Sequence, residues 1–286
     1  MVVHEVSRCF MGGTRKGKSK LKCLLALLVP ALLQIGAGGG PLAAQITHTG
    51  DVQPTPPHTP PDVFEWDVNG ILDVGHSKDG TLSITNGGKV IGHSGYIGKN
   101  TSTTGIVTVD GAGSTWASSG DLYVGHDGIG ELRISNGGHV SVGGDYRQNG
   151  SSLLAMDIGS RGSNPLVVGG EVILNGSLYL STNGAMNAAY YVLIDNFGDA
   201  SINGIFSSIY WNGVLVDFTP WDNPLDGGTF EADGVIYTLS YLGESTTGSL
   251  FGGSDLILSG GPSVPEPASL GLVGLGIAAM IAKRRK

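Results

Sequence analysis

His76 and His126 stand 50 residues apart at the same place in two copies of one motif, and imidazole is a common metal ligand. If each unit of about 25 residues forms one coil of a stacked chain, the two rings lie two coils, or about 10 Å, apart, with Lys99 between them. Zinc is held at about 2.0–2.1 Å by each nitrogen, so that spacing excludes a shared ion and leaves the histidines as exposed turn residues along one ridge. The carboxylates Asp73, Asp79, Asp121, Asp127, Asp145 and Asp157 are spread through turns. Glycan hydrolysis needs an opposed acid and base, or a basic cluster for an anionic sugar, and neither is legible. Neither a Gly-Gly-x-Gly-x-Asp nonapeptide nor an EF-hand pattern is present to hold calcium. Tyr190, Tyr191, Tyr210, Trp211 and Trp221 offer either a sugar-stacking platform or core and cap packing. The expectation is a non-catalytic protein without a cofactor or metal.

Charge excludes another class. Between residues 46 and 266 there are six basic side chains, Lys78, Lys89, Lys99, Arg133, Arg147 and Arg161, against 23 carboxylates, a net charge of −17. So acidic a body repels nucleic acid and anionic lipid, and no basic stripe offsets the repulsion. Both cysteines, Cys9 and Cys23, fall near the N-terminus, so a disulfide scaffold, a thiol nucleophile and a cysteine zinc site are excluded from the rest of the chain.

The remaining basic residues gather at two ends that read as addresses. Arg15, Lys16, Lys18, Lys20 and Lys22 precede the apolar run 24–35, and small residues follow to Ala44. This is the order of a secretory signal peptide, 1–45, with cleavage near Ala43 to Gln45; a membrane-anchoring helix is the alternative, but the run is short for a span. Residues 46–63 contain Pro54, Pro56, Pro57, Pro60 and Pro61, and read as an extended linker, because proline fixes φ and donates no hydrogen bond. At the other end, Pro265, Glu266 and Pro267 lead into an apolar segment closed by Lys283, Arg284, Arg285 and Lys286. Such a cluster stays cytoplasmic while the apolar segment holds the membrane. Residues 262–286 resemble the PEP-CTERM sorting signal. The resemblance implies transient inner-membrane anchoring through a short apolar helix, recognition of Pro265, Glu266 and Pro267 by an exosortase-type protease, and release to the surface of a bacterium that makes exopolysaccharide. A permanent anchor is the alternative.

The elements between these ends are set by repetition. Residues 66–90 and 116–140 agree at 13 of 25 positions, and a weaker copy lies between, so the unit is about 25 residues. Short alternating runs separated by glycine, in a chain with 49 glycines, predict strands and tight turns. Stacked units bury Leu72, Val74, Leu82, Ile84, Ile97, Val107, Val109, Leu122, Val124, Leu132 and Ile134, with Asp73, Ser83, Thr108, Tyr123 and Arg133 outward. Asn86 and Asn136, each before Gly-Gly, suit left-handed turns. The predicted fold is all-β, a parallel β-helix or β-solenoid over 64–183, with further coils or a cap over 184–261; a β-sandwich of antiparallel hairpins is the competitor.

The stretch 109–116, with Gly120 to Gly125 and Leu132 to Gly138, resembles the repeat shared by autotransporter passengers and PEP-CTERM proteins, across about 66–145. The resemblance implies a rod displayed outside the cell. No membrane barrel is expected, since an apolar tail takes its place. The expected function is an exported structural or adhesive protein of the surface or extracellular matrix, associated with exopolysaccharide, its oligomeric state open. A carbohydrate-binding module and a glycan-active lyase or hydrolase are the alternatives.

Overall fold

In a computed structural model the described residues are 44–56, 65–159, 162–163, 165–186, 188–198 and 200–260. The expected signal peptide, but for its last two residues, and the whole sorting tail lie outside them. All elements among the described residues are strands, and no helix among them is long and apolar enough to cross a membrane.

Alternation along each short run decides which side chains enter the core. Gly80–Thr85, Thr104–Asp110, Ile129–Ser135, Leu153–Gly159, Ser177–Asn183 and Ser208–Trp211 stack as one parallel face. Their register aligns Leu82, Val107, Leu132, Leu154, Leu178 and Ile209 in one inward column, with Ile84, Val109, Ile134, Met156, Leu180 and Trp211 in the next. All twelve are buried, and each contributes about 1.5–3 kcal/mol through removal from water.

A second face stacks Ile71–Val74, Ser94–Ile97, Leu122–Val124, Tyr146–Gln148, Val172–Leu174 and Asn203–Gly204. A third stacks Glu65–Asp67, Lys89–Gly92, Thr115–Ser118, His139–Val142, Leu166–Val168 and Tyr190–Asn196. The chain visits the third, second and first faces in turn, which makes a β-solenoid of about five turns with one core running through it. The parallel registers dispose of the antiparallel sandwich.

The turns behave as their residues demand. Asn86 and Asn136 sit at φ 54° and 51°, followed by Gly87 and Gly137 at 87° and 92°, left-handed backbone that asparagine and glycine enter most readily.

One boundary differs from expectation. The first eight residues of the expected linker are not linker: Gln45–Gly50 pairs antiparallel with Gly80–Thr85, and Val52–Gln53 with Ile71–Val74. Val52 is buried, and the Asp51 carboxylate accepts the Ser77 amide at 2.6 Å and the Lys78 amide at 3.2 Å, so this strand pair is tied to the first coil. At the other end parallel pairing continues past 183 to Trp211, where further coils or a cap were expected. Antiparallel strands Gly227–Ala232, Val235–Gly243 and Asp255–Ser259 then close the third face.

Candidate functional site

Pro265, Glu266, Pro267 and the cluster Lys283, Arg284, Arg285 and Lys286 lie outside the described residues. Within them, the densest set of reactive side chains stands on the outer side of the second face, where register lines up Asp73, Tyr96, Tyr123 and Arg147. The pleat points all four away from the core.

Tyr96 and Tyr123 stack at 4.7 Å with planes 3° apart, and Lys99 Nζ sits 4.6 Å from the Tyr96 centroid. Lys99 also donates to Asp73 Oδ2 at 2.7 Å, and His76 Nδ1 lies 2.8 Å from that oxygen. Asp73 was expected to face solvent, but it is 6% exposed: Gln53 pairs beside it on one side and Tyr96 on the other. Its Oδ1 has no partner among the described residues.

Lys99 N donates to Gly75 O and His126 N to Gly98 O, so His76, Lys99 and His126 occupy successive coils of one ridge, as their spacing predicts. The histidines do not converge. His126 lies 3.3 Å from Asp127, and its ring is edge-on to Tyr96 and Tyr123 at 5.5 Å each. Among the described residues no group of three His, Cys, Asp or Glu side chains is placed to hold a metal ion.

Four of the six scattered carboxylates turn out to tie neighbouring coils through backbone amides, a role that composition did not reveal. Asp79 accepts the Thr104 amide at 2.7 Å, Asp121 that of Asp145 at 2.9 Å, Asp145 that of Glu171 at 2.8 Å, and Asp157 that of Asn136 at 2.8 Å. The Glu171 amide, and then Arg147 at 2.7 Å, hold the Asp145 carboxyl below the usual carboxylate range, and the same contact raises Arg147. Burial, and then the Asp121 charge, push the Tyr123 phenol up.

The five aromatic residues considered as a sugar platform are dispersed. Tyr191 and Trp211 are buried, and Trp211 packs on Tyr237 at 4.4 Å while its Nε1 donates to Asp233 at 2.7 Å. Tyr190 donates to Ser245 O, Trp221 stacks on Phe251, and Tyr210 stacks on Tyr179. On the second face Tyr96 is engaged by the Tyr123 ring and by Lys99 Nζ. This is a rigid polar ladder whose charges are paired.

Comparison with known families finds the PEP-CTERM protein-sorting motif over residues 263–286, the segment that holds Pro265, Glu266, Pro267 and the terminal basic cluster. Comparison with curated proteins and with solved structures returns no match. The motif marks a protein sorted for export toward the cell surface, and the part described ahead of it is a β-solenoid.

Proposed function

We propose that the chain is a non-catalytic surface or extracellular-matrix protein, sorted through its Pro-Glu-Pro tail and serving a structural or adhesive role in association with exopolysaccharide. The observation that carries this reading is the position of the sorting motif, 263–286, directly behind a solenoid whose closing antiparallel strands end at Ser259. Such a motif is generally processed by an exosortase-type protease, here at Pro265, Glu266 and Pro267. The apolar segment and Lys283 to Lys286 would hold the chain in the inner membrane until then. The likeness of residues 66–145 to autotransporter passenger repeats points the same way, toward a rod displayed outside the cell.

A non-catalytic role is supported by what the charged groups already do. Lys99 is engaged by Asp73, Arg147 by Asp145 and Glu171, and Arg133 by Glu131. A catalytic pair would need free carboxylates opposed across a cleft.

The test is mass spectrometry of the protein recovered from an exosortase-bearing host, after separation into inner membrane, surface and medium. The expected species lacks residues 1 to about 44 and the segment after Pro267, and is found outside the cell. An intact basic tail in the inner membrane would overturn the reading and leave a tethered periplasmic protein.

A further inference from the structure

The outer row of the first face runs, in register, Ser83, Thr108, Arg133, Ala155, Tyr179 and Tyr210. Tyr179 and Tyr210 stack at 5.9 Å with planes 20° apart, one strand step for one ring layer. At Ala155 the layer is empty. The result is a groove of about 470 Å³ with Ala155 as its floor, Tyr179 as one wall and Arg133 as the other. That volume falls within the range of small-ligand sites, about 300–1,000 Å³. Tyr210 covers one side of the Tyr179 ring, and the other borders the groove.

The rim is fixed before any ligand arrives. Arg133 Nε and Nη2 both donate to Glu131 Oε1 at 2.7 Å. Asp157 Oδ2 accepts the Asn136 amide at 2.8 Å and Asn183 Nδ2 at 3.2 Å, and Ser135 Oγ donates to Asp110 at 2.6 Å. The groove therefore combines one ring face with hydroxyl and carboxylate groups on a sheet surface, with Ala155 one strand step of about 4.8 Å from the Arg133 and Tyr179 rows on either side.

We propose that this groove binds a pyranose unit of a neutral glycan chain. The electron-rich ring face attracts the partly positive C–H face of a sugar ring. Sugar hydroxyls can donate to Glu131, Asp157 and the lone pairs of Ser135 Oγ, whose own proton is held by Asp110, and accept from Arg133. An anionic sugar is disfavoured, since the single cation is already paired with Glu131 and Asp157 adds a second negative charge. The proposal rests on the reading of the protein as a component of a glycan matrix, and names the ligand class and where it sits.

The test titrates the processed protein, recovered from its host, with cellohexaose, mannohexaose and hexagalacturonate by calorimetry. At least one neutral hexaose binds, and more tightly than the galacturonate. Ala155→Tyr extends the tyrosine stack into the vacant layer and fills the groove. It weakens binding at least about tenfold with the melting temperature held, as does Tyr179→Ala, while Tyr123→Ala on the second face leaves binding unchanged. Preference for the galacturonate, or no binding of any of the three, overturns the proposal. Undiminished binding by Ala155→Tyr also overturns it, by placing the glycan elsewhere on a protein that still associates with the matrix. Retention of the tail in the inner membrane would instead sink the surface reading without bearing on the groove.

Discussion

Asn136 shows how much one turn residue carries. Its backbone is left-handed, its Nδ2 donates to Asp110 at 2.7 Å and its Oδ1 accepts from Asn183 at 2.6 Å. Asn136→Ala should cost about 1–2 kcal/mol from the left-handed backbone alone, read as a fall in urea midpoint, and Asn136→Gly should recover the backbone part. The left-handed turn was legible in Asn-Gly-Gly. The partner 47 residues away was not, because only the register of the coils brings it there. Two aspartates make opposite predictions with pH. Asp145 has a lowered carboxyl, so its stabilisation is present above the unfolded value of about 3.9 and is lost as pH falls through the folded value. Asp195 is raised by burial and then by Asp255, so its favourable state is the protonated one, lost as pH rises through the folded value. In urea unfolding, Asp145→Asn should destabilise the protein at pH 7 and little at pH 2, whereas Asp195→Asn should stabilise it at pH 7 and not at acid pH. The reverse pattern for either would mean that its folded-state surroundings are not those described.

Faces are built by complementary sizes as much as by alternation. On the second face the inner column runs Leu72, Gly95, Leu122, Tyr146 and Val172, and the gap at Gly95 is taken by the Trp116 ring arriving from the third face. A Cβ at Gly95 would lie 2.6 Å from Trp116 Cζ2 and 2.9 Å from Leu122 Cδ1. Gly95→Ala should therefore cost about 1–3 kcal/mol by overpacking, and Trp116→Ala about 3–5 kcal/mol by opening a cavity. Because one residue fills the space the other leaves, the double variant should lose less than the sum, measured in a double-mutant cycle. The recurrence of Trp66 as Trp116 was plain in the sequence, but its glycine partner sits in the weakest copy. The repeat itself was legible only while the step stayed regular. From Leu82 the inner column advances by 25, 25, 22, 24 and 31 residues, so pattern matching fades where Asn-Gly-Gly turns cease although stacking goes on to Trp211. The N-terminal strands were hidden for another reason: Gln45–Gly50 has Ile46 as its one large apolar side chain, lies next to prolines, and pairs with residues 80–85, far along the chain.

A stack of parallel coils ends in unpaired strand edges, which invite further copies to add on. Here antiparallel strands finish the first and second faces at the N-terminal end and the first and third faces at the C-terminal end, which breaks the parallel register that another coil would need. Charge adds a second barrier, because ten carboxylates and no lysine or arginine lie between residues 162 and 260, so copies approaching by that end repel one another. Edge pairing favours association and like charge opposes it, and salt separates the two, since it screens charge over about 10 Å at 0.1 M and leaves backbone hydrogen bonds in place. A variant lacking residues 45–53 exposes the outer edges of Gly80–Thr85 and Ile71–Val74. It should sediment faster than the intact protein in a concentration-dependent way, and more so at high salt than at low. A variant that sediments as the intact protein does at every salt concentration would show that the N-terminal strands tie down the first coil without guarding its edge. Association that weakened with salt would mean that attraction between unlike charges, not strand pairing, holds the copies together.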